Sequence, residues 1–435
     1  RNPDPVLDDW NRLVRRIRLQ HLAQVPIQNG LGLPGEHDNP DWPRYVRTTD
    51  IASPTTLRGD VFASQPPDVA KGAPLLPGDI VATAAGATIG KSLLYREATV
   101  ACYAGFLVRI RLKASTDARF IAYWMQSKDY WAQIDKGAVR STFDNFSASK
   151  YRALLVPDWP RDEQRRIADF LDDRVARIDQ IITARRAQVE AVEGRFVADR
   201  RSAVLGAGQT TQPSPLRWAR KIGSEWSVRR LSQLARMGTG HTPSRSEPDY
   251  WVNCDIPWLT TSDVHRFRSD QIDEINETEI EISELGLANS AAVLHPARTV
   301  ALSRTASAGF SIIMGRDMAT SQDFATWTCG EDLLPEFLLQ SLRVMRPFLL
   351  GYLSMGSTHK TIYFPDLMDI RIPVPSLGRQ ADAVASVAEA ARDRSQWSEA
   401  LSNQMSLLSE YKQSLITAAV TGELDVTTAG NRIPG

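Results

Sequence analysis

The sequence predicts an α+β protein: two mixed α/β domains joined by two long helices that pair as an antiparallel coiled coil, in a pseudo-two-fold internal repeat. Three observations predict it. Residues 157–206 align with residues 373–422 at one constant offset (373 − 157 = 216 and 422 − 206 = 216), so that Gln164 meets Gln380, Val189 meets Met405, Leu205 meets Thr421 and Gly206 meets Gly422. Residues 162–203 contain no proline and one glycine, Gly194, and their apolar positions follow a heptad seam. The residues upstream of each helix read instead as short strands, turns and Gly/Pro-rich loops.

Residues 1–160 form the first mixed domain. Ile80-Val81-Ala82-Thr83 and the run from Phe106 to Leu112 are strand-like, residues 120–130 read as helix, and residues 29–35 as a loop. Residues 161–206 form the first long helix, with Leu171, Val175, Ile178, Ile182, Val189, Val192 and Phe196 spaced 4, 3, 4, 7, 3 and 4 apart and Arg185 at the skipped position. Residues 207–376 form the second mixed domain. A small, polar, proline-bearing linker over 206–215 leads into it, a loop is expected at 238–243, and a helix at 334–342. Residues 377–424 form the second long helix, whose seam of Val384, Val387, Ala391, Leu401, Met405, Leu408 and Leu415 is interrupted by Arg394 and Ser398. Residues 425–435 are expected to be a flexible tail. A helix of about 40 residues is about 60 Å long. Both helices start alike: Leu155-Val156-Pro157-Asp158-Trp159-Pro160 and Arg371-Ile372-Pro373-Val374-Pro375 read as strands that stop at a helix start, because proline disfavours helix at the residue before it.

The repeat reaches upstream with a drifting offset. The run Tyr45 to Ile51 resembles Trp258 to Val264 (263 − 50 = 213), and the run from Leu76 resembles that from Leu294 (294 − 76 = 218). The organisation is therefore a part that varies followed by a helix whose length does not.

A chain of 435 residues fits roughly two to four domains, and 43% hydrophobic residues support real cores. No run approaches the ~20 apolar residues of a membrane span. Cys102, Cys254 and Cys329 are too widely separated for a metal site or a disulfide framework, which fits a reduced, cytoplasmic setting. No secretory signal opens the chain, although one that begins on Arg1 rather than Met is expected to lack its native start. The formal charge of zero neither supports nor excludes nucleic acid, since a basic face can be balanced elsewhere.

No catalytic set emerges. Ala85-Gly86-Ala87-Thr88-Ile89-Gly90-Lys91-Ser92 approaches a phosphate-binding loop, but the first glycine is Ala85 and Leu93-Leu94-Tyr95-Arg96 reads as strand rather than helix. A tight strand–loop–strand turn that offers Lys91 to a phosphate fits better. Pro157-Asp158 with Glu163-Gln164-Arg165 faintly resembles a nuclease carboxylate set, but the second copy carries Val374 and Arg379 at the acidic positions, which favours a proline-led helix start. The six histidines pair with no carboxylate or cysteine at ligand spacing, and no Asp/Asn-Pro-Pro-Tyr/Phe run is present. No metal site is expected.

Polar and basic residues do gather in the expected loops. They are Lys136, Arg140, Thr142 and Asn145 in the first domain, and His359, Lys360 and Tyr363 in its counterpart. Arg304 and Ser307 sit in the loop equivalent to residues 86–91. Thr49 and Ser262 in the matched upstream segments, with Thr242 and Ser244, complete the candidate set. Such side chains read base edges and hold phosphates, although a solvated surface has the same composition.

At this point the pattern resembles the specificity subunit of type I restriction–modification enzymes. The helix start Pro160-Arg161-Asp162-Glu163-Gln164-Arg165-Arg166-Ile167-Ala168, the helix end over residues 412–424, and Gly240-His241-Thr242-Pro243-Ser244-Arg245 carry the resemblance, in the family's order and over essentially the whole chain. It implies two target-recognition domains, each reading one half of a bipartite, asymmetric site on double-stranded DNA, spaced by the two helices. It implies a non-catalytic chain without a cofactor of its own, acting in defence against foreign DNA. S-adenosylmethionine would belong to two partner modification (methyltransferase) subunits, and ATP and Mg to two restriction/translocase subunits. The alternative is a coiled-coil protein-interaction scaffold that reads no DNA.

Overall fold

The computed structural model describes residues 14–137, 145–207, 210–355 and 361–429. The chain divides into two compact units, one of residues 1–186 with 402–435 and one of residues 187–401, so the division cuts through both long helices. Those helices are Arg161–Leu205 and Leu377–Thr421, each 45 residues without interruption. At 1.5 Å per residue each is about 67 Å long.

In the first unit, Gln28–Asn29, Leu107–Ile110, Ile80–Thr83 and Ser92–Leu94 form a four-stranded antiparallel sheet in that spatial order. A smaller sheet joins Tyr45–Val46, Ala101–Tyr103 and Pro74–Leu75. Arg16–Arg18 pairs antiparallel with Leu155–Pro157, which runs straight into the first long helix. The main core of this unit merges sheet and helices. Ile80, Val108, Phe120, Trp124, Tyr130 and Tyr151 cluster with Ile167, Leu171, Val175, Ile178 and Ile182 of the first long helix and with Leu415, Ile416, Ala419 and Val420 of the second. Trp159 Nε1 donates to Val420 O (3.0 Å), and further along Lys412 Nζ donates to Asp179 Oδ1 (2.6 Å). The two helices therefore run antiparallel here.

In the second unit, Ala235–Thr239, Phe324–Cys329, Val300–Ser303, Ser311–Met314 and Glu274–Ile275 form a five-stranded sheet in that order. A three-stranded sheet joins Glu281–Ile282, Ile256–Leu259 and Ala319–Thr320, and Ser227–Arg230 pairs with Arg371–Val374 ahead of the second long helix. Leu205 and Ala383 enter one core with Trp226, Trp327, Phe337 and Leu342. Earlier on the first helix and later on the second, the Arg394 guanidinium lies 4.4 Å from the Phe196 ring centroid and 3.6 Å from Glu193. The helices are antiparallel here too.

The repeat carries equivalent joints. Gln164 and Gln380 are both buried. Gln164 Oε1 accepts from Asp117 N (2.9 Å), at the start of helix Ala118–Trp124, while its Nε2 donates to Trp159 O (2.8 Å). Gln380 Oε1 accepts from Leu334 N (2.9 Å), at the start of helix Pro335–Phe348, while its Nε2 donates to Asp332 O and Pro375 O (2.9 and 3.1 Å). Each glutamine thus clamps a domain helix to the first turn of a long helix. At the other ends, Gly206 (φ 67°) and Gly422 (φ 86°) take the left-handed conformation, and a Cβ at either would lie 2.6–2.7 Å from Trp226 or Trp159 respectively.

Charged networks differ between the units. In the first, Arg119 bridges Asp117 (3.0 Å) and reaches Asp169 and Asp172 of the long helix (2.7 and 2.8 Å). In the second, Arg200 of the long helix, Arg343 and Arg346 converge on Asp270 at 2.9, 3.4 and 2.7 Å. Burial raises the Asp270 pKa, but hydrogen bonding from Arg346 and the charges of Arg343, Arg346 and Arg200 outweigh it and hold the carboxyl below its ordinary value.

Several expectations need correction. The helix expected over 120–130 is two, Ala118–Trp124 and Lys128–Gly137, because Ser127 Oγ accepts from Tyr130 N (3.3 Å) and starts a new helix. The expected linker contains a strand, Thr211–Pro213, paired with Lys221–Gly223. Gly238 lies inside a strand rather than a loop. Part of the expected tail is folded: Asp425 Oδ1 accepts from Thr427 N (2.9 Å), and Val426 packs on the core. Along the seam, Leu171, Val175, Ile178, Ile182 and Leu401 are buried, whereas Val189, Met405 and Leu408 are half-buried.

Replacing Gln380 with alanine strands one buried N–H and two carbonyls, and costs about 2–3 kcal/mol; Gln164→Ala is expected to cost a similar amount. Urea unfolding of both variants against the unaltered chain measures this, and a loss below about 0.5 kcal/mol would show that the joints are not clamps.

Candidate nucleic-acid interface

In the second unit, five segments from distant parts of the sequence meet. Arg304 N donates to Asp323 O (2.8 Å) and its Nε to Gln322 O (3.0 Å). Ile362 N donates back to Arg304 O (2.8 Å), and the guanidinium stacks 4.5 Å from the Phe364 ring centroid. Ser321 N donates to Leu259 O (3.0 Å), which ties this segment to the turn Thr261–Asp263. There Asp263 is buried and its Oδ2 accepts from Thr260 N (2.9 Å), leaving Ser262 exposed with its Oγ 2.6 Å from Thr260 Oγ1. Thr242 Oγ1 donates to Gln322 Oε1 (2.8 Å). The segments around Thr242, Thr260 and Ser321 line an open cleft of about 510 Å³, formed by Thr242, Arg245, Trp258, Thr260, Thr261, Ser262, Ile280, Ser321, Gln322 and Asp323. Its lining is rich in hydroxyls and holds one primary amide, one guanidinium and one carboxylate.

Of the sequence candidates, the structure brings Thr242 and Ser262 into this cleft and sets Arg304 directly behind it. Arg304 is half-buried and its guanidinium is turned to protein carbonyls, so it braces the loop. Ser307 is half-buried and accepts from Arg268 Nη2 (3.2 Å). Ser244 is exposed and paired with Ser246 Oγ at 2.8 Å, outside the cleft lining. Tyr363 is half exposed at the start of helix Phe364–Met368, one residue after the strand that holds Arg304. His359 and Lys360 lie outside the described residues.

In the first unit the equivalent hairpin, Ile80–Thr83 with Ser92–Leu94, brackets the loop at residues 84–91, as a strand–loop–strand turn. This loop lies on helix Lys128–Gly137: Tyr130 Oη donates to Gly90 O (2.8 Å), and Trp131 packs against Gly90. Asn145 is exposed and bridges Ala85, and Phe146 N donates to Ala84 O (2.8 Å). Lys91 is half-buried and donates to Ile51 O at 2.6 Å, so its ammonium ties the loop to the neighbouring strand. Lys136 is exposed in the last turn of helix Lys128–Gly137. Thr49 is exposed in the turn Thr48–Asp50, whose buried Asp50 accepts from Arg47 N (2.8 Å), in the same way as Asp263. Arg140 and Thr142 lie outside the described residues.

Sequence reasoning missed Gln322, Asp323 and Arg245 as cleft residues. The signal available was the polar run Ser321-Gln322-Asp323 between two apolar strands. Among the described residues no group of His, Cys, Asp and Glu could hold a metal ion, and no helix is long and apolar enough to cross a membrane.

The hairpin loops carry backbone strain. Ala306 takes φ 53° in the second unit, at the position where Gly86 takes φ 85° in the first. A side chain at positive φ costs about 1 kcal/mol. Ala306→Gly is therefore expected to raise stability by about 0.5–1 kcal/mol in urea unfolding; a loss would mean the loop is held by the Ala306 side chain instead.

Residues 223–386 match the family described as type I restriction modification DNA specificity domain. The type I restriction enzyme MjaIX specificity subunit of Methanocaldococcus jannaschii is 29% identical over 160 residues, 36% of this chain and 35% of that protein, so the alignment spans about a third of this curated relative. Among solved structures, a chain from work on complex assembly and conformational transition of the type I R-M system superposes with a TM-score of 0.70 at 16% identity, covering 94% of this chain and 98% of that one. The HsdS subunit from Thermoanaerobacter tengcongensis gives 0.55 at 17% identity, with 94% and 97% covered. At these identities the structural likeness establishes the fold. The resemblance to type I specificity subunits holds, and so does the fold class of mixed domains with two long helices.

Proposed function

We propose that this chain, which carries a type I specificity domain over residues 223–386 and the fold of specificity subunits over most of its length, is the non-catalytic DNA-reading subunit of a type I restriction–modification system. The observation that carries the proposal is the repeat itself. Each unit has an antiparallel hairpin with a braced loop, and an aspartate-capped turn that exposes a hydroxyl residue, Thr49 or Ser262. The two are followed by helices of equal length. Two reading surfaces that differ, on a spacer that does not, suit a bipartite and asymmetric site on double-stranded DNA. Helix length then sets the gap between half-sites, because duplex DNA rises about 3.4 Å per base pair.

In this reading the chain supplies base and phosphate contacts, and its partners supply the chemistry. Two modification subunits bring S-adenosylmethionine and methylate adenine. Two restriction/translocase subunits bring ATP and Mg where the system also cuts. The cytoplasm is the compartment that fits.

Co-expression with the modification subunit of its own genome, followed by single-molecule sequencing of the host DNA, tests this. One bipartite motif with a fixed gap is expected; a stable complex that modifies no such motif would refute the proposal. Binding of that complex to its cognate duplex is also expected to weaken with salt, log K falling by roughly 0.9 per log unit of salt for each neutralised phosphate. A protein-interaction scaffold would bind no duplex and show no such slope.

A further inference from the structure

We infer that Gln322 is a specificity-determining residue of the second unit, its amide set by Thr242 to read an adenine in the half-site that this unit contacts. The inference rests on the proposed function and deepens it. Gln322 is exposed at the cleft, yet its surroundings are fixed on every side. Its own carbonyl accepts from Arg304 Nε (3.0 Å), the preceding Ser321 N donates to Leu259 O (3.0 Å), and the following Asp323 O accepts from Arg304 N (2.8 Å). The side chain is held as well, by Thr242 Oγ1 donating to Oε1 at 2.8 Å. Thr242 reaches it because Gly240 lets the strand end lie on Thr320: a Cβ at Gly240 would sit 1.7 Å from Thr320 O.

The consequence is chemical. With one end of the amide engaged by Thr242 Oγ1, the group still presents a free N–H donor beside a free oxygen lone pair, whichever end the hydroxyl holds. That donor–acceptor pair matches the major-groove edge of adenine: Nε2–H to N7, and Oε1 from the N6 amino group. Guanine offers O6 in place of the amino group, so the oxygen would face an acceptor. A glutamine fixed before contact also loses less side-chain entropy on binding than a free one.

The test uses the complex with the modification subunit and reads the modified motif by single-molecule sequencing. For Gln322→Ala, one adenine position in one half-site is expected to relax to other bases, its preference falling about tenfold or more, with the other half-site and the gap unchanged. Thr242→Val, which removes only the orienting hydroxyl, is expected to relax the same position. If Gln322→Ala lowers modification too far to map, competition between duplexes altered one base pair at a time measures the same preference in binding. An unchanged motif, or a relaxed position that is not adenine, overturns the inference while leaving the proposed function intact. A wild-type complex without any bipartite motif defeats the proposed function, and this inference with it.

Discussion

Everything else in this molecule depends on the antiparallel pairing of two 45-residue helices. Neither helix has a continuous apolar stripe strong enough to explain its length alone, and a helix in water draws most of its stability from what it packs against. Here each helix enters two cores. The first half of Arg161–Leu205 and the last turns of Leu377–Thr421 complete the core of one unit, and the remaining halves join the other. Fully burying a Leu, Ile or Val side chain contributes roughly 1.5–3 kcal/mol. Leu171, Ile178, Ile416 and Val420 therefore stabilise both a domain and the helix pair at once.

The joints explain why the helices keep their length while the domains diverge. Gln164 and Gln380 fix where each helix begins relative to its domain, and Gly206 and Gly422 fix where each ends, against Trp226 and Trp159. A residue inserted between these points would rotate every later side chain by about 100° around the helix axis and remove Lys412 from Asp179 or Arg394 from Glu193. The loops at 84–91 and 304–310 carry no such constraint. Each is braced to carbonyls of a neighbouring segment, one through Lys91 and the other through Arg304.

The sequence made the architecture legible because it is periodic. The constant offset and the heptad spacing exposed both helices, and the prolines marked their starts. Gln164 and Gln380 stood out as matched, although only the structure gives them their partners. The candidate cleft was legible in part. Thr242 and Ser262 reach the cleft, but the basic residues that looked like phosphate contacts, Lys91 and Arg304, face carbonyls of their own chain. Composition could not foresee this, since a cation in a loop is the same letter whether it meets solvent or a backbone oxygen. Gln322 was invisible for the converse reason: its role comes from Thr242, 80 positions away in the chain. The charged networks are equally long-range, with one arginine among three aspartates in the first unit and one aspartate among three arginines in the second.

The central claim is that the paired helices are the ruler of a bipartite site. Its most direct test inserts one heptad at matched positions of both helices, which preserves the seam and adds about 10.5 Å. The modified motif of the resulting complex is then mapped. The account predicts both half-sites unchanged and a gap lengthened by roughly three base pairs, at about 3.4 Å each. A folded, modifying complex whose gap stays the same would contradict it.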